Sequence, residues 1–555
     1  MARLTFENVK KVQSSHAERF REIFVTCRRI LGKSIWENIL ASLDAEALPE
    51  FFPVELKTLR SSHGLPDYID DVARIEYARY HIQAQSTPSG NMIDTLSVNP
   101  MLKLVPVAWR NLVALIQAGA DRAPQPQPAA DSHVIIWRHP QTHLLQMREA
   151  LDLDLLALKV VVEDVTFKQA TAQGNGALAT IKAAIERAKA EGLLVSPPSR
   201  IHRDVASIAP IKPAYEPFVT TETFVLQWHI TQACDLHCRH CYDRSNRAFM
   251  PYDTAVAVLD DFGNFCNHMR VTGQVTFTGG NPLLYPHFTK LYRAARDRGF
   301  KLAILGNPAP ISQVEDLVAI ARPEFFQVSL EGLEAHNDAV RGPGHFARTL
   351  IFLKQMRELD VYTMVMLTLY RDNLDQVLPL AELLRDRTDF FTFNRLSAMG
   401  EGSQLSMVPP KRFRELLKDF EAAARHNPTM MLKDNLINLI RTNRGSEAFG
   451  GCTGYGCGAA FNFVALLSDG EVHACRKFPS LIGNINADRL VDIYQSERAR
   501  QYRTGSEACR DCSLNVVCRG CPAVTYSCGL DVFKDKDPYC FKQTKQAGNK
   551  RQPVL

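Results

Sequence analysis

The chain is 555 residues long, room for three or four folded units at about 100–200 residues each and too long for a single-core module. Hydrophobic residues are 46% and charged residues 23%, ordinary globular values that exclude wholesale disorder and fibrous repeats. Lys+Arg 65 against Asp+Glu 60 leaves +5, too weak a charge to make nucleic acid or an anionic membrane the expected partner.

The start, MARLTFENVKKVQSSHAERF, has no apolar signal core, and no stretch reaches the roughly 20 apolar residues of a membrane span, so the expected location is the cytoplasm. Residues 1–120 read as helices, with apolar positions at three- and four-residue steps through FREIFVTCRRILGKSIWENIL and YIDDVARIEYARYHI. ADRAPQPQPAAD reads as a linker, and 133–196 as a small helix and strand module. Its expected strands are HVIIW and the β-branched LKVVVEDVTF, and its Ala-rich helix stops at a glycine. A proline-rich loop, SPPSRIHRDVASIAPIKPAYEP, follows. Between 223 and 398 six β-rich runs (TFVLQWHIT, QVTFTGG, KLAILGN, FFQVSLEG, VYTMVMLTL and FFTFNRLSA) alternate with helical stretches, the pattern of a parallel sheet that curls into a full or partial barrel. The expected boundaries are a helical domain at 1–122, an α+β module at 131–198, a linker at 199–220, the barrel at 221–400, a helical bridge at 401–448 and a Cys-rich domain at 449–545.

Fourteen cysteines supply the chemistry. Cys27 and Cys266 stand apart; Cys27 lies in an apolar helical run and reads as packing. In a reducing compartment, thiols clustered at two- and three-residue gaps read as metal ligands in preference to disulfides. Cys234, Cys238 and Cys241 form C-x3-C-x2-C in the loop after the first barrel strand, where barrel active sites sit. Three thiolates can hold three irons of a [4Fe–4S] cluster and leave the fourth open to a small molecule. The alternative is a zinc site completed by His237 or His240. In the tail, Cys452-x4-Cys457 is followed by Gly470-x4-Cys475, then Cys509-x2-Cys512-x5-Cys518, Cys521, Cys528 and Cys540. Two four-thiolate zinc sites have the same ligand count.

CDLHCRHCY, with Tyr242, resembles the signature of the radical S-adenosylmethionine (SAM) enzymes, and the tail resembles their auxiliary-cluster SPASM domain. The resemblance implies an α/β fold: a partial (β/α)6 barrel of TIM type, helical and winged-helix-like N-terminal domains and a C-terminal iron–sulfur domain. It assigns Cys234, Cys238 and Cys241 to the SAM-binding [4Fe–4S] cluster. Tyr242, Gly279, Gly280, Asn281, Ser329, Glu331 and Arg341 go to SAM itself, the glycines of TFTGGNP against its methionine part, Ser329 and Glu331 at the ribose, Arg341 at the carboxylate. The family usually has Glu where this chain has Asn281. Cys452, Cys457, Cys475 and Cys521 would hold one auxiliary [4Fe–4S] cluster, and Cys509, Cys512, Cys518 and Cys540 the other. The family tends to have C-x3-C where this chain has Cys518-x2-Cys521, and Cys528 is left over, a buried thiol or one that touches substrate.

Across its length the chain looks most like SPASM-type maturases assigned to thio- or seleno-peptides. The implied function is oxidative: a 5′-deoxyadenosyl radical abstracts a hydrogen from a Cys or Sec residue of a ribosomally made precursor, and the auxiliary clusters take the remaining electron. The 133–196 module resembles leader-recognition elements that add the leader as an extra strand. The implied partners are a precursor peptide with its leader and an electron donor such as flavodoxin or ferredoxin. No general base is named, since Arg476 follows Cys475 and offers no carboxylate. The competing readings are a radical SAM dehydrogenase of a protein side chain, of the formylglycine-forming sort, and a metal-binding scaffold without turnover.

Overall fold

The computed structural model describes residues 17–44, 47–85, 96–118, 124–163, 175–204 and 211–542. The chain divides into two compact units, Met1–Pro198 and Ser199–Leu555.

In the first unit, helices α1 (Val25–Ser42), α2 (Phe52–His63) and α3 (Ile69–Ala84) follow the expected periodicity. The helical pattern then breaks. After β1 (Ser97–Val98), residues 102–110 form strand β2 (Leu102–Arg110), followed by the short α4 (Leu112–Ala118). β3 (Gln127–Arg138) takes in the end of the stretch expected to be a linker, Pro128 lying opposite Trp109. β2, β3 and β4 (Leu145–Glu149) form an antiparallel sheet in that order. The run LKVVVEDVTF is helical as far as Val162, in α5 (Asp152–Val162); residues 164–167 lie outside the described residues. An acidic residue in the first turn explains this: the Leu151 amide donates to Asp154 Oδ2 at 2.8 Å, and buried Asp154 pairs with Arg148 and Arg187. Tertiary context thus overrides the β propensity of three valines. α6 (Asn175–Ala190) and β5 (Leu194–Val195), which pairs with β1, complete the unit.

In the second unit the six expected strands are all present: β6 (Thr223–Thr231), β7 (Thr272–Gly279), β8 (Lys301–Leu305), β9 (Phe326–Ser329), β10 (Thr363–Leu369) and β11 (Phe390–Arg395), each paired in parallel with the next. The crossovers are α7 (Tyr252–Met269), α8 (Phe288–Asp297), α9 (Ile311–Ile320), α10 (Glu334–Arg341) with α11 (His345–Glu358), and α12 (Val377–Leu384). Alternate strand residues are aromatic or aliphatic and pack on this helix layer: Phe224 against Phe262 and Phe265, Phe277 against Phe288 and Tyr292, Phe326 against Phe352. The intervening residues (Gln227, Thr231, Gln274, Thr276, Thr278, Gln327, Ser329, Thr368, Asn394) put polar groups on the opposite face, because side chains alternate along a strand. One face makes the core; the other carries most of the polar groups.

Helices α13 (Pro410–Ala424) and α14 (Ile437–Asn443) follow the last barrel strand. β12 (Phe463–Leu467) then returns to pair in parallel with β6, and β13 (Glu471–His473) and β14 (Leu481–Asn484) extend the same sheet to nine strands. After α15 (Leu490–Gln495) and α16 (Glu497–Thr504), the remaining cysteines flank α17 (Pro522–Ser527). The proline-rich stretch expected as a linker belongs to this unit: Ile201 and Tyr215 are buried in its core. Among the described residues no helix is long and apolar enough to cross a membrane.

Candidate functional site

The loop leaving β6 carries Cys234, exposed, with Cys238 and Cys241 half-buried. Burial pushes the Cys238 thiol up while Arg341 draws it down, and Cys234 and Cys241 both act on it; Cys241 is likewise raised by burial and drawn down by Arg244. The three thiols therefore share one electrostatic neighbourhood with two arginines.

The glycines after β7 are required by this loop. The Gly280 amide donates to Thr231 O at 2.8 Å and the Asn281 amide to Ala233 O at 2.7 Å. A Cβ on Gly279 would stand 2.2 Å from Thr231 O, and one on Gly280 2.2 Å from Ala233 O. Both glycines thus approach the backbone of the cysteine loop closely. Gly280→Ala is expected to displace that loop, costing about 1–3 kcal/mol by overpacking and lowering the iron the barrel retains on reconstitution; unchanged iron and melting would contradict this.

Asn281 is buried; its Oδ1 accepts from the Leu283 amide at 3.3 Å and its Nδ2 donates to Asp235 Oδ1 at 3.0 Å. Asn307, just beyond β8, donates to the same oxygen at 2.6 Å and lies 3.6 Å from Cys234 Sγ. Neither Asp235 nor Asn307 stands out in the sequence.

Beyond β9, Glu331 is fully buried and receives His240 Nε2 at 2.8 Å and Arg341 Nε at 2.9 Å and Nη2 at 2.5 Å. Its Oε2 accepts from the Thr368 amide at 2.8 Å. Burial works to raise its pKa, but His240 and Arg341 outweigh that and hold it at about 2, so Glu331 is a carboxylate and neutralises the arginine. Arg341 Nη1 lies 3.7 Å from Cys238 Sγ, so the guanidinium spans the carboxylate and a cysteine of the loop. Ser329, half-buried, sits two residues earlier on β9. His240, weighed above as a zinc ligand, faces Glu331; its signal was local, one residue before Cys241, but its partner lies beyond another strand, β9. Tyr242 is held at about 12 by burial, with the Arg476 guanidinium 5.6 Å from its ring centre; Arg476 also pairs with Asp243. The loop after β11 closes on the same segment, the Glu401 amide donating to Cys241 O at 2.9 Å. Ends of β6, β7, β8, β9 and β11 therefore meet around one cysteine loop.

The tail cysteines fall into two sets. Cys457 is raised to about 12 by burial and feels Cys521, Cys452 and Cys475. Cys509, raised to about 11 by burial, feels Cys512 and Cys540, and Cys518 feels Cys540 and Cys509. Cys509, Cys512, Cys518 and Cys540 line one cavity with Leu436, Leu439, Asp537 and Lys542. Cys518 and Cys521, with two residues between them, thus stand in different sets. Cations accompany both: Arg395 and Lys477 draw Cys521 down, and Lys542 Nζ lies 3.1 Å from Cys512 Sγ. Buried thiols flanked by cations suit an anionic thiolate-ligated group, whose binding displaces the thiol protons. Among the described residues no three His, Cys, Asp or Glu side chains converge closely enough for a single metal ion. Cys528, half-exposed at the end of α17, belongs to neither set; its Sγ is 4.0 Å from Met407 Sδ.

Two family models match this unit: the radical SAM superfamily over residues 228–384 and the SPASM iron–sulfur cluster-binding domain over 457–522. The chain is an enzyme that carries a radical SAM domain and a SPASM domain. A radical SAM domain implies SAM and a [4Fe–4S] cluster, and a SPASM domain implies further iron–sulfur clusters. This enzyme is 25% identical over 349 residues to the AdoMet-dependent heme synthase of Methanosarcina barkeri, covering 58% of this chain and 97% of that protein. It is 29% identical over 334 residues to the mycofactocin maturase MftC of Mycolicibacterium smegmatis, covering 57% and 82%. Streptococcus suis SuiB bound to precursor peptide SuiA superposes with a TM-score of 0.47 at 17% identity, covering 74% of this chain and 96% of that one.

Proposed function

We propose that this enzyme is a peptide maturase that oxidatively modifies a Cys or Sec residue of a ribosomally made precursor in the cytoplasm. The observation that supports the reading is the sorting of eleven cysteines into one set of three in the loop after β6 and two sets of four in the tail. Cys234, Cys238 and Cys241 would hold a [4Fe–4S] cluster with one open iron, which with SAM and an electron from flavodoxin or ferredoxin supplies a 5′-deoxyadenosyl radical. The two four-thiolate sets would hold closed clusters suited to electron acceptance, three clusters in all. Glu331 and His240 fix Arg341 against the cysteine loop, and Asn281 and Asn307 fix Asp235 beside Cys234.

A peptide is favoured over a tetrapyrrole by the first unit. There β4 pairs with β3 alone among the described strands, an edge to which a leader can add as a further strand. The test is anaerobic reconstitution followed by iron, sulfide and 5′-deoxyadenosine assays. About twelve irons are expected for three clusters, falling to about eight, with nucleoside formation abolished, when Cys234, Cys238 and Cys241 are all replaced by Ala. Nucleoside formation stimulated by a leader-bearing, Cys-rich peptide encoded beside the gene supports the maturase. Stimulation by a tetrapyrrole and not by the peptide moves the reading to heme-type chemistry, and zinc in place of iron overturns it.

A further inference from the structure

Asn281, where the resemblance to the radical SAM enzymes implies a Glu, is an amide committed inside the protein. The side chain is 4% exposed and spends its Nδ2 on Asp235 Oδ1 at 3.0 Å. Asn307, 8% exposed, adds a second amide donor to the same oxygen at 2.6 Å. Two buried amides from successive strand ends therefore aim one carboxylate, next in sequence to Cys234 and itself exposed. Neutral donors orient a carboxylate without cancelling its charge. Among the described residues Asp235 makes no ion pair with a lysine, arginine or histidine, in contrast to Glu331 a few residues from the other side of the loop. The arrangement leaves an oriented negative charge beside the exposed cysteine and directs it outward, toward a cation that is not part of the chain.

We propose that Asp235 supplies the negative charge that receives the α-ammonium of SAM, with Asn281 and Asn307 as its positioning residues; this rests on the reading that the barrel loop holds SAM. The charge expected at the end of β7 has moved onto the cysteine loop. The neutrality of Asn281 follows from the same geometry. A carboxylate at 281 would stand about 3 Å from Asp235, and two like charges at that distance oppose each other's ionisation. An amide there turns a repulsion into a hydrogen bond.

The test uses the full chain with its clusters reconstituted and titrates SAM while following the change SAM causes in the EPR signal of the reduced cluster, so only cluster-bearing molecules are read. D235N keeps both amide bonds and removes the charge; it is expected to weaken SAM binding at least tenfold while barrel iron is retained. The isosteric exchange D235N/N281D returns the charge to the other member of the pair and is expected to recover affinity to within about threefold of the parent. D235N binding SAM as the parent does, or the exchange variant recovering nothing, overturns the proposal. A parent that assembles no cluster at the three-cysteine loop instead overturns the reading on which it rests.

Discussion

Glu331→Gln is expected to lower stability by about 3–5 kcal/mol, the range for removing one partner of a buried pair. Glu331 is fully buried, and its carboxylate is the common partner of His240 and Arg341, while its second oxygen caps the Thr368 amide. The amide of Gln keeps the shape but leaves Arg341 as an uncompensated buried cation against Cys238. The pH dependence carries the same signature. Its folded pKa of about 2 lies below the ordinary 4.5, so its contribution is fully present above about pH 4.5 and is lost as pH falls toward 2. The gap corresponds to about 3 kcal/mol. Denaturant unfolding of the parent should therefore weaken between pH 5 and 3 relative to E331Q, so the two curves converge as acid is added. Parallel curves across that window would show that the carboxylate is not ionised by its two partners.

The barrel was legible because its information is local: each strand repeats an apolar residue at every second position and each crossover an apolar stripe, and all six strands fall on the expected runs. The clustering of the cysteines was legible for the same reason, since thiol spacing survives in the sequence, whereas their division into two sets of four came only with the resemblance. What was hidden depends on topology. Asp235 meets Asn281 across 46 residues and Asn307 across 72, and no pattern around either asparagine marks it as a partner of the loop. The contact of Gly279 and Gly280 with the backbone of the cysteine loop was hidden too, because the sequence shows a need for close approach without naming the group that approaches. In the first unit LKLVPVAWR has apolar residues at spacings that serve either a helix or an edge strand, and only its pairing with β3 decides. QPAAD reads as linker because strand ends that face water carry linker-like residues, and Pro128 is tolerated at such an end.

Asp537→Ala is expected to empty both tail sets while leaving the barrel's own cluster in place. Arg395, the last residue of β11, sends Nη1 and Nη2 to Asp537 at 3.0 and 2.7 Å and Nε to Asp434 at 2.8 Å, all deeply buried. Burial alone would lower the Arg395 pKa, but the two carboxylates carry it well above its ordinary value. Asp537 also accepts from the Cys521 amide at 2.9 Å and the Tyr539 amide at 3.0 Å, and a Cβ on Gly520 would come within 2.6 Å of its own. It lines the cavity of Cys509, Cys512, Cys518 and Cys540 while holding the backbone of Cys521, which belongs to the other set. One carboxylate thus ties both ligand loops to the end of the barrel sheet. Its removal leaves two backbone donors and most of a guanidinium unsatisfied, about 3–5 kcal/mol. On the three-cluster reading the iron should fall from about twelve toward four per chain. SAM cleavage should persist without peptide turnover, because Cys234, Cys238 and Cys241 lie in the loop after β6 and Asp537 bonds to none of that loop. Asp537→Asn, which keeps one acceptor for the Cys521 amide, should retain more iron than the alanine variant. If both variants hold the parent's iron and melt with it, the ligand loops are fixed by their own packing and the Arg395 pair is incidental to them.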